Sequence, residues 1–194
     1  MKKLKIIIVD CGSSKTKNIA ESLATCACET QLILLDEAND FHFNAFDAIV
    51  ISGGPKLFTD PLQLPELKRQ FTFIANLKKP TLGICLGHQA IGLSFGSNIF
   101  MGEARRSQET IQKIQAHPLL TDLPETFLMN EDHCEGISLP AGFCLLASSD
   151  FYTVEAMACD ASGFYGVQFH PEVSMQNGQV VIRNFCQIVR DFKP

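Results

Sequence analysis

Apolar runs and helical repeats alternate through the first half of the chain. Residues 4–9 form a continuous apolar run that ends in Gly12-Ser13-Ser14; a helical stretch covers about 16–27, and a second apolar segment covers 31–35. This reads as strand, helix, strand. A third apolar run, 46–51, closes on Ser52-Gly53-Gly54-Pro55, and Leu67, Phe71, Ile74 and Leu77 then recur at helical spacing within 66–77. Thr81–Ile84 predicts a short strand and 87–95 a helix. Strands that are apolar throughout, separated by helices, predict a mostly parallel sheet covered on both faces, an α/β fold. After Gly96 the texture changes. Short segments at 110–114, 126–129, 143–147, 153–157 and 163–169, separated by Pro, Gly, Asp and Ser, predict strands joined by turns. An amphipathic stretch, 178–190, predicts a closing helix that buries Val181, Ile182, Phe185, Ile188 and Val189. With no repeat, low-complexity segment or linker, one domain over 1–194 is expected.

Composition narrows the function classes. At 194 residues with 46% hydrophobic and 19% charged positions, the chain can bury a core of its own, which excludes a disordered tail or a staple-dependent mini-protein. Its net charge of −5, without a sustained Lys/Arg cluster, makes nucleic acid an unexpected partner. The N-terminal lysines and the apolar run after them imitate a signal peptide, but Asp10 ends that run too early. No stretch approaches the ~20 apolar residues of a membrane span, so a soluble protein is expected. Eight dispersed cysteines with no CxxC pair suggest reduced thiols and a cytoplasmic location. Cys26 and Cys28 are one residue apart, and no Cys–His spacing resembles a zinc site, so no metal is expected.

Three motifs carry the chemistry. Gly83-Ile84-Cys85-Leu86-Gly87 stands between an apolar strand and a helical segment. Glycines on both sides allow a turn tight enough for the central side chain to project from the top of the sheet, as in a nucleophile elbow with cysteine in place of serine. At a helix N-terminus the Cys85 thiol is expected to have a lowered pKa, with the Leu86 N–H available to an oxyanion. A nucleophilic thiol needs a base and the base an orienting carboxylate, and Gln168-Phe169-His170-Pro171-Glu172 supplies both. Residues two apart in extended backbone face the same way, so His170 and Glu172 can converge. Ser52-Gly53-Gly54-Pro55 ends a strand with consecutive glycines able to aim N–H groups at developing negative charge; a phosphate loop is the competing use, but no G-x-x-x-x-G-K-[ST] occurs.

Together with Tyr165-Gly166-Val167 ahead of Gln168, these motifs resemble the class I (triad) glutamine amidotransferase family in order and spacing over nearly the whole chain. The resemblance implies a flavodoxin-like α/β fold with a C-terminal antiparallel extension. It implies Cys85 as nucleophile, His170 as general base and acid, and Glu172 as the group orienting His170. Gly54 and Leu86 would supply the oxyanion donors, Gly53 and Gln89 would contact L-glutamine, and no cofactor would be needed. His88 is read as a packed or helix-surface residue.

Family members deliver ammonia to a synthase domain or subunit, so a separate synthase partner is expected. Ile8-Val9-Asp10-Cys11-Gly12-Ser13, Leu139-Pro140-Ala141-Gly142-Phe143 and the stretch 165–185 are most similar to the amidotransferase unit of GMP synthetases. Departures occur at the elbow, which reads Cys-Leu-Gly-His-Gln as in the anthranilate, aminodeoxychorismate and carbamoyl phosphate branches, at Glu131-Asp132-His133-Cys134-Glu135, and at Arg106-Ser107-Gln108. Those branches remain alternatives. So do a γ-glutamyl hydrolase or peptidase using the same triad and a non-catalytic relative.

Overall fold

The computed structural model describes residues 3–192. Strand β1 (Leu4–Asp10) is followed by helix α1 (Thr16–Thr25), β2 (Cys28–Leu34), β3 (Ala48–Ile51), α2 (Leu64–Gln70), β4 (Thr81–Ile84) and α3 (Leu86–Ser94). Then come β5 (Ile99–Arg105), β6 (Gln108–Lys113), β7 (Thr126–Asn130), β8 (His133–Ile137), β9 (Cys144–Ser148), β10 (Ala156–Cys159), β11 (Phe164–Val167) and α4 (Met175–Asp191).

Nine strands form one sheet in the order β2-β1-β3-β4-β11-β10-β9-β6-β7. From β2 to β11 the neighbours run parallel. Beyond β11 each pairing is antiparallel, which is the expected extension. The alternation of β1 fixes the two layers. Ile6 and Ile8 face α1 and α4 with Ile19, Leu23, Val181 and Phe185, whereas Ile7 and Val9 face the layer of Leu67, Phe71, Ile74 and Ile91. Since Ile6–Val9 of β1 and Ala48–Ile51 of β3 are buried on both faces, those stretches are apolar without a break. Among the described residues no helix is long and apolar enough to cross a membrane.

Several boundaries differ from the sequence-based expectation. Strand β2 starts at Cys28 because its polar residues pair in register with Leu4–Ile6 at an exposed sheet edge, where no apolar run is needed. The expected helix over 66–77 divides into α2 and a 3-10 turn, Phe71–Asn76, although Leu67, Phe71, Ile74 and Leu77 are all buried. Helix α1 stops two residues short, at a turn where Ala27 has φ 57°. The segment 153–157 contributes only its end to β10, with Val154 and Glu155 buried in the loop before it. Strands β5 and β8 have no counterpart in the expected elements; they pair with each other in a separate two-stranded sheet beside the main one.

Candidate active site

Strand β4 hands the chain to α3 through Cys85, whose φ of 50° and ψ of −106° lie outside the ordinary regions for a side-chain-bearing residue. The turn is pinned on both sides: the Cys85 N–H donates to the Val167 carbonyl (2.9 Å) and its carbonyl accepts from the Gln89 N–H (3.0 Å). It is also too tight for larger flanking residues. A Cβ on Gly83 would lie 2.5 Å from the Gly87 carbonyl carbon, and one on Gly87 would lie 2.3 Å from the Ile51 oxygen. Such strain, about 1–3 kcal/mol for a non-glycine residue, persists because strand, helix and neighbouring strand over-determine it.

The Cys85 thiol is buried, and burial pushes its pKa up. The charges of Glu131 and Glu172 add to the rise, and the Leu86 N–H pulls back only in part. The lowered pKa expected from a helix N-terminus is therefore reversed, because loss of water around the sulfur outweighs the helix end.

His170 follows β11 and is held by its own backbone: its N–H donates to the Asn130 carbonyl (2.9 Å) and its carbonyl accepts from the Ser174 hydroxyl (2.6 Å). Its Nδ1 lies 2.8 Å from Glu172 Oε1, with both residues buried. The pair converges through a 3-10 turn, Pro171–Val173, and not through the extended backbone expected from sequence. With Nδ1 directed at the carboxylate, Nε2 is left for other chemistry.

Gly53 measures how close the imidazole and the thiol stand. A Cβ placed on it would lie 3.0 Å from His170 Cε1, 3.8 Å from His170 Nε2 and 3.4 Å from Cys85 Cβ. Next to it, a Cβ on Gly54 would meet the Cys11 carbonyl oxygen at 2.4 Å and Leu86 Cδ2 at 2.8 Å, so the glycine loop is packed directly against the elbow. Ser52 fixes that loop by accepting from the Cys11 N–H (2.9 Å) and donating to the Gly53 carbonyl (2.8 Å).

A cavity of about 460 Å³ opens over this junction, with Gly54, Cys85, Gln89 and His170 in its wall. Gly53, Leu86 and Glu172 do not line it. Gln89 is anchored by its amide nitrogen, which donates to the Glu135 carbonyl and to Gln168 Oε1, both at 3.2 Å. His88, on the same helix, is fully buried with its Nδ1 against Gly166; burial pushes its pKa down to about 3, helped by the nearby His133. It is a packed neutral residue outside the cavity wall.

The other side of the cavity has no signature in the sequence motifs. Lys15 pairs with Asp132 (2.6 Å) and holds that carboxyl below its usual range. The Asp132 carbonyl lies 3.9 Å from Cys85 Sγ. Glu135 accepts from the N–H groups of Phe58 (3.1 Å) and Thr59 (2.5 Å), tying the loop after Gly54 to β8. The run Glu131-Asp132-His133-Cys134-Glu135 stands out in the sequence as a departure from the family pattern, but nothing in its spacing shows which residue faces the cavity. The same run also places Glu131 and His133 in a buried cluster with Glu155.

Comparison with known proteins identifies the family. The family model "Glutamine amidotransferase class-I" matches residues 7–189. A glutamine-hydrolysing GMP synthase subunit of Methanocaldococcus jannaschii is 31% identical over 192 residues, covering 94% of this chain and 96% of that protein. The protein of the same description from Pyrococcus furiosus is 35% identical over 190 residues, covering 94% and 97%. The crystal structure of a candidate GMP synthase subunit from Thermoplasma acidophilum superposes with a TM-score of 0.88 at 28% identity, covering 98% of this chain and 96% of that one. On these matches the chain is a glutamine-hydrolysing enzyme that belongs to the class I glutamine amidotransferase family.

Proposed function

We propose that Cys85, His170 and Glu172 release ammonia from glutamine through a glutamyl thioester, and that the ammonia passes to a separate synthase subunit of the GMP synthetase type. The observation that carries the chemistry is the junction at Gly53, which places the His170 imidazole and Cys85 against one small volume while Glu172 holds the far ring nitrogen.

Burial disfavours a free thiolate at Cys85, so attack and deprotonation go together in this route: His170 Nε2 takes the thiol proton as Sγ bonds the side-chain amide carbon of glutamine. The resulting oxyanion is received by the N–H groups of Gly54 and Leu86, which sit at the glycine loop and the start of α3. When the carbon–nitrogen bond breaks, His170 gives its proton to the leaving amine and ammonia departs. Water, deprotonated by His170, then attacks the thioester carbon, and glutamate leaves as the proton returns to Sγ. Glu172 stabilises the imidazolium formed in each half.

The relatives support the partner, since their description names one subunit of a synthase. The decisive experiment measures glutamate release from glutamine by the wild type and Cys85→Ala. Each is assayed alone and with a stand-alone GMP synthetase ATP-pyrophosphatase subunit supplied with XMP and ATP. Wild-type turnover should rise with that subunit, and the variant should lose activity by on the order of 10⁴-fold or more. Turnover retained by Cys85→Ala would overturn the thioester route. Turnover that the subunit does not stimulate would overturn the partner.

A further inference from the structure

Outside the Cys85–His170 junction, the link from β7 to β8 and the loop before β10 bring together Glu131, His133 and Glu155. These residues are 4%, 7% and 1% exposed, and each offers an atom within 4.8 Å of the others. The hydrogen bonding of His133 makes this more than an acidic cluster. Its Nδ1 lies 2.9 Å from the Glu135 carbonyl oxygen, which can only accept, so Nδ1 carries the hydrogen. In the neutral ring Nε2 is then a lone pair, and it faces Glu131 Oε2, another acceptor, at 3.0 Å. Neither Glu131 oxygen nor His133 Nε2 meets a donor from outside the cluster, and the Glu131 and Glu155 carboxyl groups stand close enough to share a proton. Glu155 accepts the Ser149 hydroxyl at Oε1 (2.7 Å), while its Oε2 is buried without a partner. With both carboxyl groups ionised, lone pairs from three side chains crowd within 4.8 Å of one another with no donor among them, an arrangement that costs several kcal/mol unless something positive lies between.

We propose that Glu131, His133 and Glu155 are the three protein ligands of a site for one first-row divalent cation of the zinc or manganese class. Two carboxylates balance the charge of such an ion, and one imidazole nitrogen favours it over magnesium or calcium. The 3.0 Å between Glu131 Oε2 and His133 Nε2 is close to the roughly 3.3 Å that separates two ligands of a tetrahedral ion bound at ~2.0–2.1 Å. The surrounding bonds are those that orient metal ligands: imidazole N–H to a backbone carbonyl, and carboxylate to a hydroxyl. The site also reaches the catalytic cavity. Asp132, between two ligands, presents its carbonyl to Cys85 Sγ, and the Glu135 carbonyl that orients His133 also holds Gln89. A bound cation would brace that wall.

The competing occupant is a proton, because burial pushes both carboxyl groups up to about 8. The two are separated by titrating Mn²⁺ into the chelator-treated full-length Cys85→Ala chain, which lacks the active-site thiol as a rival ligand, and following free Mn²⁺ by electron paramagnetic resonance. About one equivalent should bind, Zn²⁺ should displace it, and Glu155→Gln or His133→Gln should weaken binding by at least ~10-fold. Absence of saturable binding of Mn²⁺ or Zn²⁺ to the folded chain overturns the proposal and leaves the proton as occupant. Undiminished binding in both folded variants also overturns it by placing the ion elsewhere. Should the variants not fold, ¹⁴N coupling to Mn²⁺ on the parent chain decides: coupling to one imidazole supports the site, and its absence overturns it. None of these readouts depends on glutamine turnover, so they stand or fall apart from the amidotransferase mechanism.

Discussion

Two buried histidines in this molecule each lie two residues from a glutamate, yet they are wired in opposite senses. At His170 the ring nitrogen nearer the backbone, Nδ1, meets the carboxylate of Glu172, so Nε2 is free beside the elbow. At His133 the same nitrogen meets the Glu135 carbonyl, and Nε2 is turned on the carboxylate of Glu131. The first arrangement readies a base, because its carboxylate stabilises the charge that forms when Nε2 takes a proton. The second opposes lone pairs and suits a cation. Residue type and spacing are shared; the group that receives Nδ1 sets the difference.

The comparison can be broken most forcefully at Glu172. Glu172→Gln retains an acceptor of the same shape but removes the charge, so kcat for glutamate release should fall by roughly 10²–10⁴-fold with a much smaller change in KM. A kcat within about threefold of wild type would show that Glu172 is packing, not orientation. The next effect is geometric. Gly53→Ala places a Cβ 3.0 Å from His170 Cε1 and 3.4 Å from Cys85 Cβ, wedging the pair apart. A displacement of that kind should cost on the order of 10²-fold in kcat, while circular dichroism and the melting temperature show a folded protein. Unchanged turnover would remove the close approach at Gly53 from the mechanism.

How much of this is legible in the sequence depends on where burial falls. The parallel half is legible because Ile6–Ile8 and Ile49–Ile51 are buried on both faces and leave uninterrupted apolar runs. The elbow is legible because a strained turn at Cys85 demands small neighbours, and Gly83 and Gly87 stand out in the sequence. Strands β5 and β8 are not. Phe100 and Met101 are exposed, and β8 spends His133 and Glu135 on the site, so neither strand shows the apolar alternation of a half-buried strand. The meeting of Glu155 with Glu131 is hidden for another reason: it joins the loop before β10 to the start of β8, a contact that only the folded chain makes. The direction of the Cys85 shift failed because a helix N-terminus is visible in sequence and the depth of burial is not.

A smaller effect tests how firmly His170 is held. The Ser174 hydroxyl donates to the His170 carbonyl (2.6 Å) and accepts from the Asn130 N–H (2.9 Å), joining the histidine to the end of β7. Ser174→Ala leaves the Asn130 N–H unpaired and the His170 carbonyl with only the Val173 N–H (3.3 Å), and should destabilise the fold by about 1–3 kcal/mol in urea unfolding. Turnover should drop only a few-fold, since the Nδ1–Glu172 bond survives. A loss as deep as that of Glu172→Gln would show that the backbone, not the carboxylate, aims the ring.

The smallest expected change discriminates best, because its sign should depend on what is bound. Glu131→Gln replaces an acceptor facing His133 Nε2 with an amide that can donate to it and that carries no buried charge. In chelator-treated protein above about pH 8, where the carboxyl groups shed the competing proton, this should relieve the opposed lone pairs and raise stability by about 1 kcal/mol, or roughly 2–4 °C in melting temperature for a chain of this size. With Mn²⁺ present the order should reverse, because the wild type gains a ligated ion and the variant has lost one of its three ligands. Glu172→Gln should show no such reversal, its carboxylate already having a donor in His170 Nδ1. If Glu131→Gln moved stability the same way with and without Mn²⁺, the two histidines would differ in wiring but not in the occupant they are built to hold.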